Sequence, residues 1–462
     1  MTGKRKRKLA MPDTLIIVAS VVLLVAILSW IIPSGTYDYQ EMNINGRIRN
    51  VAIDGTYHTI DKSEVTTTGF LGFFSVLYRG CVEAADVIFM ILCCCGTFGV
   101  VVKTGAFHAG IGTILKKLKG KEILLVPIIM MIFGLGGSVF GMASEFYGFY
   151  PLIVGLGVAL GYDAMFGFAI IAVGEFVGFM GATLNPYSVG IAQTISGVEL
   201  YSGTGYRAIC FVIFMAISII YVMVYGRKIK KNPGASVVFG EKNIHAFDRD
   251  ELNEYSFTLK DGLVLLDVLV VLVVLMLGLI KWLCGLFLLM SMIAAAICKW
   301  SPNKWCSEFI DSAKTAMWGC ILTGIAKAIT VVMQDAQIMD TVIYGLSNVL
   351  KNAPHAVSAQ VMLVVQTLIN FFIPSATGQA SATMPIMAQL ADIIGVSRQT
   401  AVLAFQFGDG LSNIFWPTAD IVIICGLGGI SLQKWYKWFT PLFLILFVTQ
   451  AILLGIATGI GF

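Results

Sequence analysis

The feature that most constrains this chain is that it repeats itself. Gly174–Glu175 and Gly408–Asp409 both place a glycine before a carboxylate, and subtracting 174 from 408 gives an offset of 234 residues. The same offset relates Pro385 to Pro151. Both copies are apolar, and each carries its carboxylate at a matched position. Such a pattern is typical of a secondary transporter built from two structural repeats.

The composition indicates a membrane protein. Hydrophobic residues make up 57% of the chain and charged residues 13%, whereas typical soluble domains have about 25% charged residues. Crossing a hydrocarbon core takes about 20 apolar residues, and about ten or eleven segments approach or reach that length. The clearest runs are Leu15–Ile32, Ala208–Tyr225, Gly262–Ile280, Leu283–Cys298 and Leu442–Ile456. The predicted fold class is therefore an all-α polytopic membrane protein.

Basic residues predict which segments face the cytoplasm. They fill positions 4–8 before the first apolar run, and they recur in Lys103–Glu122 and Gly226–Asp261. The first run is too long for a signal peptide, and no small-residue cleavage site follows it, so we interpret it as a retained helix with the N-terminus inside. Ser34–Gly69 is then external, and its glycine turns favour a small β-hairpin. We expect a multi-pass protein of a prokaryotic cytoplasmic (inner) membrane.

The repeat divides the chain into four parts. Residues 1–69 hold the N-terminus, the first helix and the external loop, and residues 226–281 hold a cytoplasmic loop and a linking helix. The two repeats occupy residues 70–225 and 282–462. The basic segment of the first repeat maps onto a segment of the second that has few basic residues. The two repeats are therefore predicted to be inverted relative to each other in the membrane.

Each repeat contains two irregular segments. Clusters of small residues predict re-entrant hairpins at 134–151 and 370–390, because the apolar arms on either side are too short to span separately. Glycines and prolines predict broken helices at 165–190 and 400–426. Non-helical backbone at membrane depth has to line a cavity or lie buried in protein. These four segments are therefore the predicted site.

Polar groups in these segments suit a carboxylate-bearing solute. Pro186 and Pro417 each remove a backbone donor and free a carbonyl about one turn upstream. Such carbonyls, with hydroxyl and amide oxygens, suit Na⁺, whereas helix N-termini at the breaks suit a substrate carboxylate. The competing interpretation is that the hydroxyls only cap helices. The predicted substrate-binding residues are Ser138, Ser144, Glu145, Asn185, Ser375, Thr377, Gly378, Gln379, Asn413 and Thr418.

Carboxylates inside apolar segments are the sharper signal, because each charged group costs about 2.5–3.5 kcal/mol or more at the centre of the bilayer. Glu175 and Asp409 could carry protons or ligate Na⁺, so the coupling ion stays open between H⁺ and Na⁺. The structural alternative is that backbone N–H groups or a lysine such as Lys327 neutralise them. Lys327 itself could pair with an acid or extend to the interface. The predicted ion-coupling residues are Glu175, Asp409, Gly181, Thr183 and Ser412.

Other classes of function have less support. The ten cysteines and four histidines show no metal-ligand spacing, so we expect no disulfide framework, no cofactor and no metal other than Na⁺. The net charge of +4 comes from basic loop segments and predicts topology rather than nucleic-acid binding. No Ser/His, HExxH or paired-Asp pattern lies in the spans, so no enzyme activity is expected. A channel is the alternative from another class, and saturable exchange would distinguish a carrier from it.

Several longer motifs carry a family resemblance. They are the stretches at 11–14 (Met-Pro-Asp-Thr), 30–35 (Trp-Ile-Ile-Pro-Ser-Gly), 185–193, 374–380 and 408–418. Together they resemble YfcC/DcuC-type carriers of the ion transporter superfamily over nearly the whole chain. The resemblance implies a homodimer in which each protomer has a scaffold part and a mobile transport part. It also implies that the transport part holds the hairpins and broken helices and moves by an elevator-type slide.

Members of that family are assigned C4-dicarboxylates or basic amino acids such as arginine and ornithine. The better-known dicarboxylate carriers of the superfamily have Ser-Asn-Thr at both hairpin tips, whereas here the tips read Ser144-Glu145 and 376–379 (Ala-Thr-Gly-Gln). A site with Glu145, Glu175 and Asp409 repels a dianion unless cations neutralise it, and it attracts a cationic side chain. We therefore predict a basic amino acid carrier, working as an antiporter or a cation-coupled symporter. A C4-dicarboxylate symporter coupled to Na⁺ or H⁺ is the alternative.

Overall fold

The computed structural model of the chain describes residues 14–44, 47–118, 122–241, 257–276, 282–351 and 357–462. Over these residues the chain is mostly helical, with four short strands near its start. The basic cluster at positions 4–8, Lys119, Lys121, His245 and His355 lie outside the described residues, as does the end of the predicted helix Gly262–Ile280 beyond Met276.

The segment between the first two helices forms two small antiparallel sheets. Strand β1 (Ser34–Thr36) pairs with β4 (His58–Ile60), and β2 (Tyr39–Ile44) pairs with β3 (Arg47–Ala52). The β-hairpin expected for this segment is therefore confirmed.

A buried carboxylate ties these sheets to the second half of the chain. Asp340 accepts hydrogen bonds from the Thr36 hydroxyl (3.1 Å), the Tyr37 backbone N–H (3.0 Å) and the Tyr39 hydroxyl (2.8 and 2.9 Å to its two oxygens). Burial, and then the neighbouring Asp340 carboxylate, raise the pKa of the Tyr39 phenol above its ordinary value. The phenol therefore remains a hydrogen-bond donor to Asp340 at neutral pH.

Two sets of helices follow one another in the same order. After α1 (Thr14–Ile31), the first set comprises α2 (Phe70–Glu83), α3 (Ala85–Lys103), α4 (Ala106–Leu118), α5 (Leu125–Leu135), α6 (Phe149–Ala159), α7 (Ala164–Met180), α8 (Val189–Ile195) and α9 (Thr204–Lys231). Helices α10 (Leu259–Met276) and α11 (Leu283–Ile297) join the two sets.

The second set comprises α12 (Pro302–Lys314), α13 (Met317–Asp335), α14 (Met339–Lys351), α15 (Ser358–Phe372), α16 (Ala376–Ile393), α17 (Arg398–Ser412), α18 (Asp420–Gly428) and α19 (Leu432–Gly459). Corresponding members have similar lengths: α4 and α14 have 13 residues each, and α9 and α19 have 28 each. The order of the helices therefore follows the repeat that the sequence shows.

The helices pack as two bundles rather than as two repeats. The first bundle contains α1 to α4 and α10 to α13, and the second contains α5 to α9 together with α15, α16, α17 and α19. Helix α18 contacts both bundles, chiefly α13 on one side and α6 on the other. Each bundle thus takes helices from both halves of the sequence, and the groove between the bundles lies along α13 and α18.

Glycines set the closest helix crossings in each bundle. A Cβ atom on Gly178 of α7 would lie 2.1 Å from the Gly134 carbonyl oxygen of α5, and one on Gly80 of α2 would lie 2.4 Å from the Gly324 carbonyl oxygen of α13. Small residues allow such approach in membrane helices, where packing rather than the hydrophobic effect drives association. The α5–α7 crossing also holds Glu175 beside the irregular segment that follows α5, since a Cβ on Gly137 would meet the Glu175 carbonyl oxygen at 2.5 Å.

Several helices are suited to crossing a membrane. By length and composition, five of those described are long and apolar enough: α1, α3, α9, α13 and α19. Five further apolar helical segments are shorter, and they lie at Leu125–Phe140, Phe149–Ala159, Ala164–Met180, Leu283–Ile297 and Ser358–Phe372. The chain therefore has the architecture of an all-α, multi-pass membrane protein.

Candidate functional site

Four interruptions of helical backbone meet in the second bundle. After α5 the chain makes a π-helical turn at Gly136–Phe140 and then a short turn at Ser144–Phe146, and after α15 it leaves the helix over residues 373–375. Helix α7 is followed by a non-helical stretch at 181–188, and α17 by one at 413–419. Pro186 and Pro417 lie in the last two stretches, so neither proline sits in an uninterrupted helix.

The first cluster of predicted site residues joins the turn after α5 to the break after α7. The Ser138 hydroxyl lies 3.0 Å from the Gly181 carbonyl oxygen and 3.1 Å from the Thr183 hydroxyl. Gly141 has a left-handed backbone (φ 67°), and a Cβ there would lie 2.3 Å from the Asn185 side-chain oxygen. Only glycine fits both constraints. The cluster is buried, and its oxygens bond mainly to one another.

The second cluster surrounds Asp409 on α17. Asn370 donates from its side-chain nitrogen to the first Asp409 carboxylate oxygen (3.0 Å), and the same nitrogen lies 3.2 Å from Gln379 Oε1 and 3.1 Å from Asn413 Oδ1. An amide nitrogen carries two hydrogens, so it cannot satisfy all three oxygens at once. The second Asp409 oxygen has no partner among the described residues. Ser412, one turn later, donates back to the Gly408 carbonyl within its own helix.

Glu175, at the matched position on α7, also has a hydrogen bond to only one of its two carboxylate oxygens. Its Oε2 accepts a hydrogen bond from the Tyr150 hydroxyl at 2.9 Å, while its Oε1 has no partner among the described residues. The side chain is fully buried. Glu145, also buried, accepts a hydrogen bond from the Ala143 backbone N–H at 3.0 Å. The structure thus buries all three predicted carboxylates, and none of them lies on the wall of the large cavity nearby.

That cavity lies between the two bundles and has a volume of about 600 Å³. Four of the predicted substrate-binding residues line it: Ser144, Ser375, Gly378 and Thr418. Ser375 also caps α16, with its hydroxyl 3.3 Å from the Gly378 backbone nitrogen. The Thr418 hydroxyl is buried and has no partner among the described residues. The cavity is within the usual size of small-molecule sites.

Thr377, the remaining predicted residue, connects the two halves of the sequence. Its hydroxyl donates to the Tyr187 carbonyl at 2.9 Å, which joins α16 to the break after α7. Gln406 makes a parallel link by donating to the Phe179 carbonyl at 2.7 Å. These contacts hold the two sets of helix breaks together in one bundle.

Charged groups on the cavity wall come from three helices. Glu83 ends α2, Lys327 lies on α13 and Asp420 begins α18. Tyr147, which also lines the cavity, donates to Asp420 at 2.7 Å. Glu175 and Asp409 do not line the cavity, but Asp420 on its wall is close enough to act on both carboxylates electrostatically.

Sequence reasoning missed Glu83 and Asp420. Asp420 follows the Trp-Pro-Thr motif by two residues, and the motif was the available signal for it. Glu83 gave no signal, because a carboxylate at a helix end is common in any surface segment. Lys327 was noticed only as a lysine in an apolar run, although Thr323, Lys327, Thr330 and Gln334 recur at helical spacing and all line the cavity.

Within the described residues, no three His, Cys, Asp or Glu side chains cluster as metal ligands. The oxygens of the site belong to single carboxylates, hydroxyls and backbone carbonyls. Such oxygens are the hard ligands that alkali and alkaline-earth cations prefer.

Comparison with known proteins shows a family. A family profile described as "C4-dicarboxylate anaerobic carrier" matches residues 11–459. A protein of Escherichia coli (strain K12) named "Putative basic amino acid antiporter YfcC" is 32% identical, and the alignment covers 100% of this chain and 99% of the relative. A Haemophilus influenzae protein with no functional name is 27% identical over 99% of each chain.

Two solved structures align with this chain over most of their length, but their TM-scores and sequence identities are low. The Alcanivorax borkumensis YdaH transporter has a TM-score of 0.43 and 14% identity, covering 98% of this chain and 99% of that one. Neisseria gonorrhoeae MtrF, described among antimetabolite efflux pumps, has a TM-score of 0.45 and 15% identity, covering 97% and 96%.

Proposed function

We propose a substrate and a coupling mode for this chain from one premise: it belongs to the C4-dicarboxylate anaerobic carrier family, whose members are transporters and not enzymes. We infer that it moves a basic amino acid such as arginine or ornithine across the cytoplasmic membrane. The mode is antiport or cation-coupled symport.

The charge pattern of the cavity carries this proposal. Its wall presents two carboxylates, Glu83 and Asp420, and one ammonium, Lys327. A basic amino acid presents the complementary set: two cationic groups and one carboxylate. Opposite charges brought together away from water attract strongly, and like charges repel by similar amounts. The name of the Escherichia coli relative, a basic amino acid antiporter, agrees with this pattern.

A C4-dicarboxylate symporter coupled to Na⁺ or H⁺ is the second candidate, and the description of the family favours it. Such a substrate brings two negative charges to a wall that has two carboxylates and one lysine. Binding would therefore need cations or protons to neutralise Glu83 and Asp420 first. The basic amino acid needs no such neutralisation and is the better electrostatic match.

Coupling is proposed to act through Glu175 and Asp409. Each is fully buried with one carboxylate oxygen hydrogen-bonded and the other without a partner among the described residues. An isolated buried carboxylate is costly unless it binds a proton or a cation. H⁺ and Na⁺ both meet that need, and the oxygens around Thr183 and Gly181 offer further ligands for Na⁺.

The movement is proposed to be an elevator-type slide of one bundle against the other. The hairpins and helix breaks all lie in the second bundle or on α18, while α13 of the first bundle faces them across the cavity. In this proposal the first bundle is the scaffold, the second is the transport part, and the protein is a homodimer.

The proposed topology follows from the repeat. The repeats 70–225 and 282–462 are inverted about the membrane plane, with the N-terminus in the cytoplasm. In a passive channel the same polar groups would line a continuous pore instead of a cavity between two bundles.

Exchange in proteoliposomes tests the substrate. Vesicles holding the purified protein and unlabelled ornithine are expected to take up labelled arginine or ornithine saturably, and not labelled succinate. Asp420→Asn should weaken this uptake by about tenfold or more, because it removes a charge-assisted contact of about 1.5–3 kcal/mol. Succinate uptake without amino acid exchange would contradict the proposal, and non-saturable flux of the solute would favour a channel.

A further inference from the structure

Lys327 is the one cationic side chain among the described residues that line the cavity, and it forms no ion pair with a described residue. Its helix, α13, is long and apolar enough to cross a membrane, and its polar residues Thr323, Thr330 and Gln334 line the same cavity. A lysine at membrane depth is unfavourable by itself. Because Lys327 forms no ion pair with the wall carboxylates Glu83 and Asp420, the geometry points to a negatively charged partner that arrives with the solute.

We propose that Lys327 binds the α-carboxylate of the substrate, an inference that rests on the proposed function. Through that contact it makes the carrier select amino acids over the amines that they yield on decarboxylation. Lys327 is thus a specificity-determining residue, distinct from the acidic residues that attract the cationic groups.

The surroundings of Lys327 fit a carboxylate. Thr323 lies one turn before it and Thr330 one turn after it, and both line the same cavity. The Thr323 hydroxyl donates to the Gly319 carbonyl of its own helix at 2.8 Å. The Lys327 ammonium, with three donors, and the Thr330 hydroxyl can together satisfy both oxygens of a carboxylate. The two carboxylates that can bind the cationic groups, Asp420 and Glu83, come from other helices. The wall therefore holds separate places for the anionic and cationic ends of one molecule.

An amine without the carboxylate meets a different balance. 1,4-Diaminobutane is ornithine without its carboxyl group and carries two positive charges. It can still reach Asp420 and Glu83, but it leaves Lys327 without a counter-charge and adds two like charges to its surroundings. Like-charge repulsion in a low-dielectric site is unfavourable. The wild-type protein should therefore bind ornithine in preference to the diamine.

Competition measurements test this selection. Proteoliposomes loaded with ornithine exchange it for labelled ornithine, and unlabelled 1,4-diaminobutane or ornithine methyl ester is added outside. In the wild type both competitors should act roughly 10- to 100-fold more weakly than ornithine, the range expected for one charge-assisted contact. Competition by the methyl ester equal to that of ornithine overturns the inference, and this arm needs no variant.

Variants of Lys327 give a second, independent readout. Lys327→Met should lower the affinity for ornithine and bring the ratio of ornithine to diamine affinity close to one, without weakening the diamine. Lys327→Arg should restore most of the preference, because it keeps the charge. An unchanged ratio in Lys327→Met protein of wild-type thermal stability overturns the inference.

Lys103→Met is the matched control. Lys103 ends α3 in the same bundle, pairs with Glu308 at 3.1 Å and does not line the cavity. It should leave the ratio unchanged, and an equal shift in both variants would assign the effect to general loss of positive charge and overturn the inference. Absence of ornithine exchange in the wild type defeats the proposed function itself, so the two failures are separate.

Discussion

Neutralising Glu175 and Asp409 should remove the coupled ions one at a time. Glu175→Gln and Asp409→Asn keep nearly the same side-chain volume. Each new amide still offers an oxygen to the existing donor, Tyr150 at 2.9 Å and Asn370 at 3.0 Å respectively. What each variant loses is the charge at the oxygen that has no partner. The folded structure should persist while the place for one proton or one Na⁺ disappears.

The size of the effect follows from the number of such sites. A tenfold gradient of a monovalent ion supplies about 1.4 kcal/mol for each ion that crosses with the solute. If Glu175 and Asp409 each take one ion, the wild type accumulates the amino acid up to about 100-fold at zero membrane potential. Each single variant then reaches about tenfold, and the double variant reaches no accumulation.

The assay separates the two candidate ions. Vesicles without internal amino acid, clamped at zero potential with valinomycin and equal potassium, receive either a tenfold Na⁺ gradient at constant pH or a one-unit pH gradient without Na⁺. Asp311→Asn is the control, because Asp311 is an exposed carboxylate that pairs with Lys314 on the surface of α12. The reasoning is refuted if the double variant accumulates substrate like the wild type. It is also refuted if the wild type exchanges substrate but shows no gradient-driven accumulation.

Two further predictions concern stability, measured as the thermal midpoint of the purified protein in detergent. Gly178→Ala should destabilise the folded protein by about 1–3 kcal/mol, because its Cβ would lie 2.1 Å from the Gly134 carbonyl oxygen. Gly285→Ala is the control: a Cβ there has nothing within 4 Å, so the change should be neutral or stabilise the protein by up to about 1 kcal/mol. Equal losses of stability in both variants would contradict this account. Asp340→Ala should cost about 1–3 kcal/mol, because it leaves the buried Tyr37 backbone N–H without its acceptor. An unchanged midpoint would show that the contact between Asp340 and the small sheets contributes nothing to stability.

The interruptions of the helices could be predicted because the residues at each interruption cause it. Pro186 and Pro417 remove backbone donors wherever they stand, and glycine and hydroxyl residues cluster around them. The pairing of Glu175 with Asp409 follows from the repeat offset alone, since equivalent positions in two copies occupy equivalent environments. Local chemistry and internal symmetry were therefore sufficient for this part of the site.

The charged wall of the cavity could not be predicted in the same way. Glu83, Lys327 and Asp420 are brought together by contacts between helices that are far apart in the sequence. Which side of α13 faces the second bundle depends on how α2 and α18 pack against it. The helical spacing from Thr323 to Gln334 identifies a polar stripe, but it does not say what that stripe faces.

In the proposed mechanism, the distribution of charges between the bundles separates selection from coupling. Lys327 and Glu83 belong to the first bundle, and Glu175 and Asp409 lie wholly within the second. In the proposed slide, the buried carboxylates travel with the moving bundle, so ions bound to them cross together with the solute. Contacts to Lys327 exist only while the bundles are aligned at the cavity and must break before the slide. A contact of that kind can discriminate between solutes without adding to the charges that cross with them.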